Sequence, residues 1–509
     1  MGRSVILLIC AVFYLAMCVK GQDVEFKAAN FKNDKEGLKQ ALSSIKAGDA
    51  DLELGNEAVA LVQHPGLHFK KALGSYMSAY NLNPNNAALN MKIGNCYLYT
   101  SDKAKAYEYL KKAEKLNPDV DPMLHFLLGQ SYQLNNEFEK AIQEYTAFED
   151  KAKNKYIEAY KKLTSKYKKE CKNAEILVPK KLRVWVDNCK QINSAQDEMA
   201  PCISADGQYM IFSSTRNNGH QPNEVGASDA DIYESNNEGK AWAVPKNLGE
   251  PLSTAEDEQA TALAYDGQRL LLFKRKNGNA DIYESVLDGV KWTAPALKMS
   301  HIVNTEYNET YACYEPIDVK IHYIFNGGKG NDKDIYFSGI MDRKNNIWGK
   351  GQSLSHEINT SFHEGSIYLH PDGQTMYISS QGHNSIGGYD IFRVTRDKNT
   401  QQWSNPVNLG YPINTPYDEL FYVETANGKY AYISSDRSGG SGGFDIYKIT
   451  YWGQEKPLIV DNEDYLLASI AQPVKDHSIS SKVEVVRNSL TVFKGKVVDH
   501  LTKKPVRSQ

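Results

Sequence analysis

Five short Asp-led elements recur in the second half of the chain: "DIYES" at 231 and again at 281, "DIYFS" at 334, "DIFRV" at 390 and "DIYKI" at 445. Their spacings of 50, 53, 56 and 55 residues belong to a radial or stacked β repeat rather than to a helical solenoid. Other landmarks keep step with them. Trp242, Trp292, Trp348 and Trp403 each follow one of these elements by 11 to 14 residues. Upstream lie "ADGQYMIFSS", "YDGQRLLLF", "PDGQTMYISS" and "ANGKYAYISS", each an Asp/Asn-Gly turn followed by an alternating strand, which is a strong hairpin signal. The third copy, "PIDVKIHYIF", lacks the glycine.

Earlier still in each unit stand "INSAQDE", "LSTAEDE", "VNTEYNE", "INTSFHE" and "INTPYDE", which end at Glu198, Glu258, Glu309, Glu364 and Glu419. In four copies a turn glycine (Gly207, Gly267, Gly373, Gly428) follows that glutamate by nine residues. Each unit therefore reads as four short antiparallel strands, which is a propeller blade. The strand "LRVWVDNC" precedes the first unit, and the fifth unit runs out after its "DIYKI" strand. Residues 182–190 are thus expected to complete the last blade, giving five blades over 179–452. A sixth blade built from divergent flanks is the alternative.

The front of the chain has a different period. "AYNLNP" ends at Pro84 and "AEKLNP" at Pro118, 34 residues apart. Between them Gly94, Tyr97, Ala106 and Ala113 hold the small and aromatic positions of a tetratricopeptide helix-turn-helix. Gly94 and Ala106 let two helices approach, Tyr97 fills the groove, and Pro118 ends the second helix. Gly129, Tyr132, Ala141 and Tyr145 continue the pattern, while Ala72, Tyr76 and Ala79 belong to a preceding unit with a degenerate first helix. The expectation for 22–178 is about three such units and a terminal helix near 153–172, with a groove that binds peptides or proteins. Eleven Lys and one Arg crowd Lys151–Arg183 against three Glu; this is either a solvated helix face or a contact for an anionic partner.

At 509 residues the chain is too long for one core, so several domains are expected. A formal charge of −3 points to no polyanionic partner such as nucleic acid. The 32 tyrosines favour β structure and interaction-capable faces. Arg3, the apolar run Val5–Ala16 and the small residues Val19 and Gly21 compose a cleavable export signal over 1–21. Twelve apolar residues are too few to cross a bilayer. "LAMC" ending at Cys18 resembles a lipoprotein box, but Met17 is large for the position before an acylated cysteine. Of the remaining cysteines, Cys96, Cys171, Cys189, Cys202 and Cys313, none has metal-ligand spacing; Cys189 with Cys202 is the pair an oxidising compartment would join.

These units resemble the WD40-like repeats of TolB-type propellers. Together with the front repeats they resemble a Bacteroidetes outer-membrane group that carries tetratricopeptide repeats, such a propeller, a carboxypeptidase-regulatory-like domain and an OmpA-like domain. One member of that layout is a peptidoglycan-linked component of type IX secretion. The tail "LTVFKGKVVDHLTKKPVRSQ" fits the opening strand and turn of the regulatory-like, Ig-like β-sandwich over 483–509 (Gly495, Val497, Asp499, Thr502, Pro505), and 453–482 reads as linker. One hairpin cannot bury a sandwich core, so the remainder is expected beyond Gln509 or in another chain; peptidoglycan binding depends on an OmpA-like domain there.

The resemblance implies a multidomain α and β, non-enzymatic periplasmic or outer-membrane-associated scaffold that holds envelope proteins, in type IX secretion. The alternatives are a TolB-like propeller for outer-membrane integrity, or a propeller-associated hydrolase or lyase. The sequence has no G-x-S-x-G, H-E-x-x-H or P-loop, its histidines (His363 and His370 among them) lack metal-ligand spacing, and "SGGSGGFD" opens no helix. No cofactor and no metal are expected. Two roles are assigned within the blades. Asp231, Asp281, Asp334, Asp390 and Asp445 are expected to hold their incoming loops through side-chain to backbone hydrogen bonds. If the strand after each glutamate is innermost, Glu198, Glu258, Glu309, Glu364 and Glu419, with Asp197, Glu256, Asp257 and Asp418 beside them, form a negative channel rim for a cation or basic peptide. The competing expectation has each glutamate bonded to Ser, Thr or backbone, meeting no ligand.

Overall fold

A computed structural model describes residues 22–60, 66–152, 155–217, 229–237, 239, 241–276, 278–297, 301–315, 320–327, 333–342, 344–345 and 347–452. The expected export signal, linker and sandwich tail lie outside the described residues. Seven α-helices come first among those described: Lys35–Ala60, Gly66–Leu82, Ala87–Leu98, Ala106–Leu116, Met123–Leu134, Phe138–Lys151 and Lys155–Leu177. Asn86 caps the third helix by accepting the Leu89 N–H at 2.9 Å. The glycines mark closest approach. A Cβ on Gly94 would stand 2.5 Å from Leu110 Cγ, and one on Gly129 the same distance from Tyr145 Cε1, so each helix pair closes only around a missing side chain. Ala106, Ala113, Ala141 and Tyr145 are fully buried.

Five four-stranded antiparallel sheets follow, two with an extra short strand. Blade 1 runs Glu198–Ile203, Tyr209–Ser214, Asp231–Asn236, Lys246–Asn247; blade 4 runs Glu364–Leu369, Thr375–Ser380, Asp390–Thr395, Val407–Asn408. Blade 5 takes its outer strand from the start of the propeller. Val184–Asn188 pairs antiparallel with Asp445–Tyr451, from Val184 opposite Tyr451 to Asn188 opposite Tyr447. Both ends of the ring are thereby tied into one sheet, which leaves no open seam. The first strand of every blade carries a bulge, and a bulge bends and twists a strand. Turn glycines Gly207, Gly267, Gly373 and Gly428 all take positive φ, between 63° and 68°, the conformation that only a missing Cβ makes inexpensive.

The helices and the blades belong to one compact unit. Ile386, on the loop before the third strand of blade 4, is fully buried in the same cluster as Phe126, Tyr145, Cys171 and Ala174 of the helices. Asn173 Nδ2 donates to Ser385 O at 3.0 Å and Gln133 Nε2 to Ile386 O at 3.3 Å. Lys103 Nζ bonds Asp436 and lies 3.9 Å from Asp418 on blade 5. The helical array thus grips its own propeller. Part of the lysine-rich segment serves this contact: Lys162 Nζ donates to Ser361 O at 2.9 Å, and Lys162 and Lys166 sit over the Phe362 ring.

All five cysteines of the described chain are buried free thiols. The Cys189–Cys202 pairing is therefore corrected: the two sit in different apolar clusters, one between blades 5 and 1 and the other between blades 1 and 2.

Candidate functional site

The recurrent glutamates gather at the blade seams, and their surroundings can be built from the quoted phrases. Each phrase places a Ser or Thr four residues before the glutamate. In blade 5 the Thr415 N–H donates to Glu419 Oε2 at 2.8 Å and its hydroxyl to Oε1 at 2.6 Å. Ser194 does the same to Glu198, Thr254 to Glu258 and Thr305 to Glu309. The hairpin register then brings a serine opposite, so Ser214, Ser380 and Ser435 donate to Glu198, Glu364 and Glu419 at 2.8, 3.0 and 2.9 Å. A cation completes three seams: Arg216 reaches Glu198 at 2.9 Å, Lys274 reaches Glu258 at 2.9 Å, and Arg437 reaches Glu419 at 3.0 Å.

All five glutamates are fully buried. A rim that attracts a basic partner needs carboxylates facing solvent, and these carboxylates face the interior. The rim reading of Glu198, Glu258, Glu309, Glu364 and Glu419 is corrected accordingly: each closes its own seam turn. Burial lifts Glu309 and Glu419 to about 7 and Glu364 to about 8. The acidic neighbours are engaged as well. Asp197 accepts the Phe444 N–H at 2.8 Å, Asp257 the Ala230 N–H at 3.2 Å and Asp418 the Tyr389 N–H at 2.8 Å, each from the preceding blade. Glu256 lies within 3.6 Å of Lys274 and Lys276.

Two of the five DIY aspartates take backbone N–H groups of their incoming loops, and three take a side-chain partner that the sequence reading did not single out. Asp390 accepts the Ile386 N–H and Asp445 the Ser441 N–H, both from the incoming loop. Asn247, Asn408 and Asn188 donate to Asp231, Asp390 and Asp445 at 2.7, 2.6 and 2.9 Å. Asn188 belongs to the closing strand, so it reproduces in the composite blade 5 what Asn408 does in blade 4. Burial raises the Asp281 carboxyl above its usual range. The four tryptophans pack at the interfaces between blades. Trp242 meets Tyr432 edge-on across the ring closure, Trp348 is buried against blade 2, Trp292 packs at the interface of blades 1 and 2, and Trp403 lies under Arg396.

One position was missed altogether. The Asn of "IN[ST]" acts as a substitute strand residue. Asn414 accepts the Ile391 N–H and donates to Ile391 O, both at 2.8 Å. Asn193, Asn304 and Asn359 do the same to Ile446, Ile282 and Ile335, and Ser253 to Ile232. The signal was its presence at the same place in four of the five quoted phrases.

The first strands of neighbouring blades ring the axis and enclose a cavity of about 70 Å³, lined by residues such as Ala200, Thr261, Tyr311, Tyr368 and Phe421. Met199, Leu420 and Phe421 pack together at its glutamate end, and Tyr265 donates to Leu369 O at 2.8 Å at the other. Among the described residues no group of three or more His, Cys, Asp or Glu is placed to hold a metal ion. No helix among them is long and apolar enough to cross a membrane.

A tetratricopeptide repeat family model matches residues 87–120, the unit between the two NP phrases. No curated protein matches the sequence. Among solved structures, the chain is similar to a protein assigned as TolB from Agrobacterium tumefaciens (15% identity, TM-score 0.32, 53% of this chain and 98% of that one). It is also similar to the NanB sialidase of Streptococcus pneumoniae (16%, TM-score 0.28, 44% and 36%) and to a luciferin-regenerating enzyme (12%, TM-score 0.31, 53% and 97%). The five-bladed propeller itself stands on the strand pairing of this chain.

Proposed function

We propose that this chain is a non-enzymatic scaffold of the cell envelope that holds protein partners on its helical array and on the faces of its propeller. The observation that carries this reading is a tyrosine-lined surface on the array. Tyr109 stacks on Tyr97 and meets Tyr80 edge-on, with ring centroids 5.3 and 5.6 Å apart, all three half-buried, and Lys112 donates to the Tyr80 hydroxyl at 2.9 Å. Tyrosine offers a rigid apolar face and a polar tip, the combination that dominates protein interfaces. The propeller supports the same reading, because its recurrent carboxylates are used in the seams. The export signal and the resemblance in layout support a periplasmic site, associated with the outer membrane, and a part in type IX secretion.

A photo-crosslinking residue at Tyr80 or Tyr109, with one at the buried seam residue Asn414 as control, tests the proposal in the native envelope. Crosslinks to a distinct envelope protein from the array positions alone are expected. Turnover of glycans or peptides by the purified chain, or array positions no different from the control, would overturn it.

A further inference from the structure

The seam between blades 3 and 4 departs from the three cation-bearing seams in three ways. The position of Arg216 and Arg437, two residues after the seam serine, is Gly382 in blade 4. A Cβ there would meet the Thr360 side chain, so this backbone leaves no room for a side chain at that position. The carboxylate is also turned. Glu364 Oε1 receives the Thr360 N–H at 3.2 Å, the Thr360 hydroxyl at 2.9 Å and the Ser380 hydroxyl at 3.0 Å, while the buried Oε2 has no hydrogen-bond partner. In the other four blades the second oxygen takes the backbone N–H. Finally, the staple position filled by Asp197, Asp257 and Asp418 is His363, whose Nδ1 accepts the Lys333 N–H at 3.2 Å. That bond exists only while Nδ1 is unprotonated.

The same two segments carry the helical array. Ser361 and Phe362 meet Lys162 and Lys166, while Ser385 and Ile386 meet Asn173 and Gln133. Between them His383 Nε2 bonds Ile358 O at 3.1 Å, the counterpart of the Ile413 O that Arg437 takes in blade 5 at 2.7 Å.

We propose that the blade 3–4 seam is a proton-operated joint that keeps the helical array seated on the propeller while Glu364 holds a proton. The groups facing Glu364 and His363 fit this. Asp334 approaches Glu364 from blade 3 as a second negative charge, and Tyr389 lies on its other side. Lys333 offers His363 its main chain, and the cations of the terminal helix, Lys162 and Lys166, are engaged by Phe362; Lys169 lies nearer His383. A neutral carboxyl tolerates an unpartnered buried oxygen at far lower cost than a carboxylate does.

One sign follows. Glu364 is raised by burial to about 8, so its contribution is fully present below its unfolded value, falls as pH rises above that value, and is gone once pH passes about 8. The joint is therefore tightest at the acid end of that window and loosest above it. It does not rest on the identity of any partner.

Hydrogen exchange on the full chain, corrected for intrinsic rates, tests it at pH ~5.5, ~7.2 and ~8.8. Peptides covering 361–364, 381–390 and the helix Lys155–Leu177 are expected to lose about tenfold protection or more between pH ~5.5 and pH ~7.2 and to level off above pH ~8. The blade 1 seam around Glu198, with its own arginine, serves as reference and is expected to stay flat. Glu364→Gln, which cannot titrate, should abolish this pH dependence. If Glu364→Gln does not fold, the wild-type profile against the blade 1 reference still decides. A flat wild-type profile, a fall that survives in Glu364→Gln, or parallel loss at blade 1 would each overturn the proposal.

Discussion

Replacing Arg437 by methionine asks whether a seam glutamate is held by its cation or only by hydroxyls. The guanidinium donates to Glu419 Oε1 at 3.0 Å, to Ile413 O at 2.7 Å and to Pro412 O at 3.1 Å, and its side chain is 12% exposed against 0% for the glutamate. Methionine keeps most of the hydrocarbon, so packing changes little. Removing one partner of a buried pair costs about 3–5 kcal/mol, provided that the other partner is charged. Burial already lifts Glu419 to about 7 with Arg437 beside it, and losing the arginine moves it higher. A carboxyl raised in the folded state stabilises below its unfolded value, and that stabilisation is lost as pH rises through the folded one. The deficit of Arg437→Met is therefore expected to grow from roughly 1 kcal/mol at pH ~5.5 to about 3–4 kcal/mol at pH ~8. Urea midpoints followed by tryptophan fluorescence measure it. Adding Glu419→Gln should recover about 2 kcal/mol at the higher pH, because the buried charge goes with it. A deficit that is the same at both pH values, or that Glu419→Gln leaves untouched, refutes the reasoning.

Three further outcomes are expected. Asn414→Ala strips partners from a buried N–H and a buried C=O and should cost about 2–4 kcal/mol in urea midpoint; Asn414→Ser should cost clearly less, because Ser253 does this work in blade 2. Val184→Asp puts a charge into the core of the closing blade, where Val184 is 9% exposed, and limited proteolysis should then cut first in blade 5. Ile386→Ala should cost about 2–5 kcal/mol and speed hydrogen exchange in the helix Lys155–Leu177, with the blade 1 strands unchanged.

The count of blades was legible because it needs only spacing: five DIY elements, five glutamates and a leftover strand, which is Val184–Asn188 in blade 5. The role of the glutamates was harder. Regular spacing says that a residue is required, but not which way it faces, and a carboxylate is the group for which facing matters most. The clue lay in the Ser or Thr four residues earlier, which folds back on Glu198, Glu258, Glu309, Glu364 and Glu419 alike. The cation was written in a different strand, "SSTR" and "SSDR" against "SSQG", and meets its glutamate only through hairpin register. Docking of Ile386 into the helices joins residues 253 apart in the contact to Gln133. No local pattern in "HNSIGGYD" marks that isoleucine as a core residue.

The arrangement of these differences around the ring has a consequence of its own. The Asn-to-Asp latch is present in blades 1, 4 and 5, through Asn247, Asn408 and Asn188. The array grips blades 4 and 5 through Ser361, Ser385, Ile386 and Asp436. The closure strand and the docking surface therefore share one arc. On that arc Lys103 answers two carboxylates, Asp436 and Asp418, and Asp436 in turn accepts the Asp418 N–H at 3.0 Å. Asp418 also staples blade 4 to blade 5 through the Tyr389 N–H. Burial and the neighbouring Asp436 raise its carboxyl, while Lys103 opposes them. Lys103, between two helices of the array, thus supplies a charge that opposes the rise of an inter-blade staple's carboxyl. Seating the array and keeping the ring closed are, on this arc, one electrostatic problem with one lysine in its solution.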